Sequence, residues 1–236
     1  MIDYLKQRML DMGTDEGYND DMSKDPQKHP HPLFIAFSGK KQVGKDTAAQ
    51  MVVEILQSAG KSVTITAFAE PLKGIAINIL GIDSSLVYGS NEQKNTPTHI
   101  LWDTMPLPIR WKYRLAWYRP LRIGSMTVRE VLQVLGTDIF RKMFENDVWA
   151  NAPFHKNWSQ HDVVVLTDCR FPNEKFTTEK HGGIVIRLDR NTGYQDDHPS
   201  ETALDFAAFT YRYRNDSSFE NLKDFIRPIL KKHQII

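Results

Sequence analysis

Cysteine is almost absent from this sequence, because its 236 residues contain only Cys169. A single thiol excludes an internal disulfide and a zinc site built from several cysteines. We interpret Cys169 as a small buried side chain rather than a nucleophile, since no neighbouring motif would activate a thiol. The low cysteine content is typical of a reducing compartment.

Long apolar segments and a strong net charge are also missing. No apolar run approaches the roughly 20 residues of a membrane helix, and the polar, acid-rich N-terminus lacks the apolar core of a signal peptide. Lys and Arg number 30 against 29 Asp and Glu, a formal charge of +1. This balance argues against a basic field for duplex DNA, so we do not expect nucleic acid as a partner. We expect a cytoplasmic protein that binds no membrane.

The sequence does contain short apolar runs that alternate with amphipathic stretches. Residues 33–37 form an apolar run typical of a strand buried on both faces. Residues 46–59 have apolar side chains at helical spacing and stop at Gly60, and residues 62–68 favour a second strand. Two strands joined by a helix predict a βαβ unit, so the predicted fold class is α/β, with a parallel sheet flanked by helices.

The rest of the chain continues this pattern. Residues 1–32 are predicted to be an N-terminal extension, with a helix over 2–12 and a flexible linker over 13–32. One domain follows over 33–236, with an irregular insertion at about 84–124 and a polar loop over 189–199. Strands are predicted over 161–167, 184–188 and 210–214, and helices over 71–80, 127–135, 173–181, 200–206 and 219–232.

A glycine-rich turn, here called the phosphate loop, lies between the first strand and the first helix. It has the spacing Gly-x4-Gly-Lys, with Gly39, Gly44 and Lys45 at the fixed positions. Glycines let backbone N–H groups point inward, the helix N-terminus attracts anions, and the lysine adds a charge for the β- and γ-phosphates. Because the motif follows a buried strand and precedes a helix, we predict a nucleotide phosphate site here.

The residue after Lys45 departs from the usual form of this motif. Ser or Thr commonly stands there and binds Mg2+ through its hydroxyl group. This sequence has Asp46 at that position, with Thr47 next. Asp46 is a candidate ligand of Mg2+, directly or through water, because carboxylates suit this ion. The alternative is that Asp46 only caps the helix.

An acidic and a basic residue follow the predicted strand over 161–167. Ligands of parallel α/β sheets bind at the carboxyl ends of the strands, so Asp168 and Arg170 are expected near the phosphate loop. Asp168 is a candidate to orient Mg2+ or its waters, and Arg170 could bind a phosphate through two N–H groups. The alternative is a structural ion pair at a turn.

Together these residues resemble the phage-type deoxynucleoside monophosphate kinases, a branch of the P-loop kinases. The likeness covers about residues 33–232, and it is weak over 84–124. The resemblance implies Mg2+-dependent transfer of a phosphoryl group from ATP to a deoxynucleoside monophosphate (dNMP), giving dNDP and ADP. The matching segments are SGKKQVGKDT at 38–47, FAEPLK at 68–73, VREVLQVLGTD at 128–138, DCRFPNE at 168–174 and RNDSS at 214–218.

The resemblance implies a set of residues for the donor nucleotide. The loop over 189–199 would be a lid over the phosphates, and Arg187 and Arg190 would neutralise charge on the transferring phosphoryl group. The turn after the last strand would contact adenine, although a plain turn fits these residues equally. The implied ATP-binding residues are Gly39, Lys40, Gly44, Lys45, Asp46, Thr47, Asn215 and Ser217, and the implied catalytic residues are Lys45, Asp168, Arg170, Arg187 and Arg190.

The acceptor side is implied in the same way. Lys73 is a candidate for the acceptor phosphate and Phe68 for the base or sugar, against a surface lysine and a core phenylalanine. Trp149 either stacks on the base or fills the core. The full implied acceptor set is Phe68, Lys73, Arg129, Gln133, Asp138, Trp149 and Arg170.

The segment over 128–138 supplies most of that wall. Arg129 and Gln133 are four residues apart and so share a helix face. Gln133 can both donate and accept, which suits a base edge. Asp138 and Arg141 are candidates to complete the wall, and the alternative is a solvated helix face.

Residues 110–122 alternate cations and aromatic rings without an acid. This pattern fits single-stranded nucleic acid, an acceptor nucleotide or subunit contact, or a structural hairpin with solvated arginines. Two further functions therefore stay open: a P-loop kinase of another small phosphorylated metabolite, and a nucleotide-gated nucleic-acid-binding protein. Association into a homodimer is also left open.

Overall fold

The computed structural model describes residues 32–113, 120–193, 199–216 and 218–236. Its main sheet contains the strands β1 (Leu33–Ser38), β2 (Val63–Thr66), β5 (Val163–Cys169), β6 (Ile184–Asp189) and β7 (Tyr211–Arg214). These five strands are parallel and lie in the order β2-β5-β1-β6-β7. The arrangement confirms the predicted α/β fold class, and it brings the carboxyl ends of β1, β5 and β6 to one edge of the sheet.

Helices cover the sheet and build a region beside it. They are α1 (Lys45–Ser58), α2 (Glu70–Asn78), α3 (Ser84–Val87), α4 (Leu107–Lys112), α5 (Val128–Gln133), α6 (Val148–Asn151), α7 (Pro172–Lys180), α8 (Pro199–Thr202) and α9 (Phe219–Lys232). A π-helix spans Val134–Phe144, and short 3-10 turns occur at Gln93–Asn95, Trp102–Thr104 and Ala152–His155.

Alternate residues of β1 point to opposite faces of the sheet, as the two-residue period of a strand requires. Ile35 and Phe37 pack into a cluster with apolar residues of α1 and α9. Phe34 and Ala36 pack on the other face, in a cluster that includes Trp158. Both faces of β1 are therefore buried, and the loop that follows it starts from a fixed point.

A third apolar cluster lies in the region predicted as an irregular insertion. This region contains α3, α4 and the strand β3 (Pro97–Leu101), which pairs antiparallel with β4 (Ser125–Thr127). Trp102, Ile109 and Met126 are buried in the cluster together with residues of α2 and α5. The expectation that this region is irregular is therefore wrong, because short elements with few apolar residues each become ordered by packing on one shared core.

The helix predicted over 127–135 begins where expected but continues further. Thr127 accepts a hydrogen bond from the N–H of Glu130, and the Glu130 carboxylate accepts one from the N–H of Thr127. This reciprocal pair is a capping box, which fixes the start of α5. The chain then continues as the π-helix to Phe144. Gly136 and Asp138 interrupt the apolar periodicity there, so the sequence pattern did not predict the extension.

The remaining sequence predictions are confirmed in part. The other strands and the longer helices lie within a few residues of their predicted positions. The helix predicted over 200–206 is helical only to Thr202, and turns follow it. Cys169 is fully buried, and burial raises the pKa of its thiol, which agrees with its interpretation as a core side chain.

Two further sequence predictions concern the N-terminal extension and the lack of a membrane-spanning helix. The helix predicted over 2–12 and the linker predicted over 13–32 lie outside the described residues. Among the residues that the structure describes, no helix combines the length and the apolar character needed to cross a bilayer.

Ile186 tests the packing between the sheet and its helices. Its side chain is completely buried among residues of α1 and α9, so Ile186→Ala should lower the free energy of unfolding by about 2–5 kcal/mol. Ile79→Ala removes the same atoms from a side chain that is 75% exposed, and it should change the stability by less than about 0.5 kcal/mol. Urea unfolding followed by circular dichroism measures both values, and equal losses would contradict this packing.

Candidate active site

The phosphate loop is held between the ends of β1, β6 and β7. Gly39 has a φ of +150°, and a Cβ there would lie 2.5 Å from the carbonyl oxygen of Leu188. Gly44 has a φ of +93°, and a Cβ there would lie 2.6 Å from Nδ2 of Asn215. Both positions therefore require glycine, for backbone conformation and for space.

Lys45 is the first residue of α1, and its side chain folds back into the loop. Its ammonium group donates to the carbonyl oxygens of Gly39 at 2.9 Å and Lys40 at 2.7 Å. Burial lowers the pKa of Lys45 to about 8, and the positive charges of Arg170 and Arg187 act in the same direction. The loop therefore surrounds a buried cation with other cations nearby, which is an environment that an anion would stabilise.

Four further residues were predicted to bind ATP beside the phosphate loop, and the structure places them differently from one another. Asp46 and Thr47 are exposed on the first turn of α1. Asn215 donates from Nδ2 to the carbonyl oxygen of Val43 at 2.8 Å, so its amide supports the loop. Ser217 lies outside the described residues.

A cavity of about 720 Å³ opens on one side of the loop, and we call it the Arg187 cavity. Arginine and lysine side chains make up much of its lining, and such cationic groups bind phosphates. Its positive residues are balanced in part by Asp189 and Asp205. The lining residues are Lys40, Val43, Arg187, Asp189, Arg190, Asn191, Asp205, Arg212 and Arg214.

Arg187 does not belong to the loop over 189–199. It lies within β6, buried, where its guanidinium donates to Asp189 at 3.1 Å, to Ser38 at 3.3 Å and to Asp205 at 3.3 Å. The predicted place of Arg187 at the end of this strand is therefore confirmed, and its three partners fix the guanidinium before any ligand arrives. Arg190 is exposed at the start of the loop, and residues 194–198 lie outside the described residues.

A second cavity, also of about 720 Å³, opens on the other side of the loop, and we call it the Arg129 cavity. It gathers residues from distant parts of the chain, including six that the sequence placed in the site: Arg129, Gln133, Arg141, Trp149, Asp168 and Arg170. The other lining residues are Lys41, Ala69, Leu72, Asn91, Lys94, Asn95, Leu132, Gly136, Thr137, Phe171, Glu174 and Glu201.

Cations dominate one end of the Arg129 cavity. Arg129 donates to the side-chain oxygens of Asn95 and Asn91, each at 3.1 Å. Burial lowers the pKa of Lys94, and the nearby charges of Lys73 and Arg129 add to this effect. Cations so close together form a binding surface for an anion.

Apolar side chains form another part of the lining of the Arg129 cavity. Trp149 is buried and donates from Nε1 to the carbonyl oxygen of Gly136 at 2.9 Å. Its ring packs against Phe140, with centroids 4.9 Å apart, and it lines the cavity beside Leu72 and Leu132. Trp149 is thus a core residue that also forms part of the cavity wall.

Three predicted acceptor residues do not line this cavity. Phe68 is 1% exposed and packs in the second core cluster, so its ring cannot contact a ligand. Lys73 lies over the ring of Tyr88, 4.7 Å from its centroid, and beside Glu70. The buried carboxylate of Asp138 accepts from Lys112, Tyr113 and Lys142, so it anchors α4 to the π-helix. The placements of Phe68 and Asp138 are corrections to the sequence-based set, whereas the role of Lys73, whose charge acts on Lys94 in the cavity, stays a prediction.

Asp168 lines the Arg129 cavity, but its carboxylate has structural partners. Its two oxygens accept the N–H groups of Phe68 at 2.6 Å and Ala69 at 3.1 Å, which ties the end of β5 to the start of α2. Among the described residues no group of three or more His, Cys, Asp or Glu could hold a metal ion. In the described part of the chain, Mg2+ would therefore have to be held mainly by phosphate oxygens and waters.

Two buried acids were not predicted as site residues. Glu174 accepts the N–H groups of Arg170 at 2.7 Å and Phe171 at 3.0 Å, and it also accepts from Arg141 at 2.7 Å. Burial raises the pKa of Glu174 to about 7, and the charge of Asp168 acts in the same direction. Glu174 is the third residue of α7, which starts at Pro172, and a glutamate at this position is a sequence signal for this role.

Glu201 is the second buried acid, and it lies in α8. Its carboxylate pairs with Arg170 and accepts the N–H of Lys41 in the phosphate loop at 2.7 Å. The sequence around Glu201 has no pattern that indicates this role.

The basic and aromatic segment is described only at its ends, because residues 114–119 lie outside the described residues. Arg110 donates to the carbonyl oxygen of Arg122 and to Asp103. Arg122 pairs with Glu130 and lies over the ring of Trp102. Both arginines are therefore paired and partly buried, so the expectation of solvated arginines is wrong for these two side chains.

Comparison with known proteins agrees with this geometry. Residues 121–226, which include much of the Arg129 cavity, match a family model described as deoxynucleotide monophosphate kinase. A protein of Acanthamoeba polyphaga mimivirus that bears this name is 31% identical over 188 residues, covering 73% of this chain and 82% of the relative. The chain belongs to the deoxynucleotide monophosphate kinase family.

Two phage relatives extend this finding. The deoxynucleotide monophosphate kinase of Escherichia phage RB69 is 32% identical over 113 residues, covering 45% of this chain and 46% of the relative. The deoxynucleoside-5'-monophosphate kinase of Escherichia phage T5 is 21% identical, covering 81% of this chain and 93% of the relative. The resemblance found from the sequence motifs is confirmed, and the protein is a kinase of this family.

Gly44→Ala tests the phosphate loop. The new Cβ would displace Asn215 and strain the backbone, so ATP affinity should fall by about 10-fold or more if one charge-assisted phosphate contact is lost. Gly60→Ala is a matched control, since its φ is +77° but no atom lies within 4 Å of the added Cβ. Isothermal titration with ATP measures both variants. Equal losses of affinity would show that backbone strain alone, and not the loop geometry, determines the result.

Lys45 should make ATP binding dependent on pH. Its pKa is about 8 in the free protein, and phosphate oxygens beside the ammonium would raise it. Binding should therefore take up a proton above pH 8, and ATP affinity should fall as the pH rises through and beyond that value. Titration calorimetry in buffers of different ionisation enthalpy measures this uptake. Lys45→Met should bind ATP more weakly and lose the uptake, and an affinity that rises with pH would contradict the assignment.

Proposed function

We propose that the protein transfers the γ-phosphoryl group of ATP to a dNMP, giving ADP and a dNDP. The observation that carries the proposal is the pair of cation-lined cavities, each about 720 Å³, on the two sides of one phosphate loop. Lys40 and Val43 of the loop line one cavity, and Lys41 lines the other. Two polyanions can thus be held with their phosphates close to the same loop.

The Arg187 cavity is the proposed site of ATP. The loop N–H groups and the N-terminus of α1 would hold the β- and γ-phosphates, with Lys45 as the local charge. The cations of this cavity would hold the phosphate tail from the other side. The Asn215 amide would act indirectly, by keeping the loop at Val43 in place.

The Arg129 cavity is the proposed site of the dNMP. Arg129 and Lys94 would bind the acceptor phosphate at the cationic end of the cavity. The base would lie against Trp149 and Leu132, and Gln133, which also lines the cavity, can donate to and accept from a base edge. The protein is proposed to act in the cytoplasm of a host cell, as the viral origin of its relatives suggests.

Phosphoryl transfer between these sites needs position and charge more than covalent chemistry. An oxygen of the acceptor phosphate attacks the γ-phosphorus, the bond from that phosphorus to the β–γ bridging oxygen breaks, and the electron pair leaves with ADP. Lys45 and Arg170 would stabilise the negative charge that spreads over the transferring group. Arg187, fixed in β6, would act from the donor side.

Asp46 fits a role beside the phosphates. Its carboxylate is exposed on the first turn of α1, next to Lys45, and could hold Mg2+ through water. A bound Mg2+ would supply further neutralisation of the β- and γ-phosphate oxygens. Asp168 would contribute chiefly by holding the start of α2 against β5.

The proposed reaction predicts ADP formation that requires an added dNMP. A coupled assay with the four dNMPs and their ribose counterparts should give turnover with at least one dNMP and little without acceptor. Lys45→Met should lower kcat by about 10²–10³-fold, the usual loss for one stabilising donor. Arg129→Met should raise the KM for dNMP by about 10- to 100-fold, because a charged phosphate contact is lost.

Lys180→Met is the matched control, since it removes an exposed lysine of α7 that lines neither cavity. Its kcat and both KM values should equal those of the wild type. Turnover with an unrelated phosphorylated metabolite but with no dNMP would reject the proposed acceptor. Full activity of Lys45→Met would reject the proposed donor site.

A further inference from the structure

Glu201 joins two parts of the site that come from distant parts of the chain. Glu201 is buried, with only 8% of its surface exposed. One carboxylate oxygen pairs with Nη1 of Arg170, 31 residues away, and the other accepts the N–H of Lys41, 160 residues away. A single carboxylate therefore connects the phosphate loop with the end of β5.

Arg170 stands between the two proposed phosphate sites. It lines the Arg129 cavity, and its positive charge lowers the pKa of Lys45, although less than burial does. Its backbone N–H is fixed by Glu174 at 2.7 Å, whereas its guanidinium is held by Glu201. The direction in which this guanidinium points is therefore set by Glu201.

The contact leaves Arg170 able to bind phosphate. A guanidinium has five N–H donors in a fixed plane, and Glu201 engages the one terminal nitrogen Nη1. The remaining donors can face a ligand while that contact persists. The Glu201 carboxylate, held by the N–H of Lys41, is also a rigid support for Arg170. Breaking this buried charged pair would be strongly unfavourable.

We propose that Glu201 is a positioning residue, which aims Arg170 at the transferring phosphoryl group and fixes the phosphate loop at Lys41. This inference rests on the proposed function. The opposing interpretation is that Glu201 occupies the place of a phosphate and competes with the nucleotide for Arg170. The two interpretations predict opposite effects on nucleotide affinity when the charge of Glu201 is removed.

Glu201→Gln keeps the size of the side chain but weakens the charge-assisted contact to Arg170. If Glu201 positions Arg170, kcat should fall by about 10- to 100-fold, since a small displacement of a catalytic group has effects of this size. The KM for dNMP and the Kd for ATP should change by less than about 3-fold. Glu201→Asp keeps the charge and should recover part of kcat. The Tm of each variant shows whether it is folded.

A double variant separates positioning from a general structural effect. In the background of Arg170→Met, Glu201→Gln should lower kcat by less than about 3-fold, because two residues that act as a unit are not additive. Glu179→Gln is the matched control. It removes the same charge from a surface pair with Lys175, and it should leave kcat unchanged.

Each other outcome would overturn the inference. Full kcat in Glu201→Gln, or an unchanged loss in the Arg170→Met background, would show that Glu201 does not act through Arg170. Tighter ATP binding with more ADP release in the absence of acceptor would show a competing anion instead. A wild-type protein without dNMP-dependent ADP formation would reject the proposed function itself, and this inference with it, whereas an active wild type isolates the result for Glu201.

Discussion

Repulsion between cations is the physical constraint on which this site depends. Burial lowers the pKa of the Lys45 ammonium, and the charges of Arg170 and Arg187 lower it further. Such a cluster is unfavourable in a folded protein unless negative charge lies nearby. The structure supplies this charge through Asp46 and Asp168 beside Lys45 and through Glu201 beside Arg170, and phosphate groups would supply more. The same repulsion that disfavours the empty site therefore favours a bound polyanion.

The parallel sheet explains how these charges come together. The carboxyl ends of β1, β5 and β6 lie side by side, since these strands are neighbours in the sheet. β1 delivers the phosphate loop, β5 delivers Asp168 and Arg170, and β6 contains Arg187. Because both faces of β1 are buried, the loop starts from a rigid support, and the two cavities keep their positions on either side of it.

Local patterns in the sequence predicted the parts of the site that depend on local geometry. Gly44 and Lys45 could be placed because a strand and a helix flank their motif, and Arg129 and Gln133 because four residues separate them on a helix. Long-range contacts could not be predicted in this way. Phe68 was predicted at the end of a strand and lies two residues beyond β2, yet tertiary packing turns its ring into the core.

The roles of the acidic residues were harder to predict for the same reason. Asp138 and Asp168 have structural partners whose positions follow only from the folded chain. The short strands of the inserted region were also missed, because each has too few residues to show a period. Their order comes from the core they share with α2 and α5.

The acids after the loop over 189–199 show how the two halves of the site are linked. Glu201 holds Arg170 on the side of the Arg129 cavity, and Asp205, four residues later, pairs with both Lys40 and Arg187 on the side of the Arg187 cavity. One short segment therefore neutralises cations of both cavities at once. A phosphate bound in the Arg129 cavity would meet Arg170, the partner of Glu201, and one bound in the Arg187 cavity would meet Arg187, the partner of Asp205. Because Glu201 and Asp205 lie four residues apart, the charge balance of one cavity depends on that of the other.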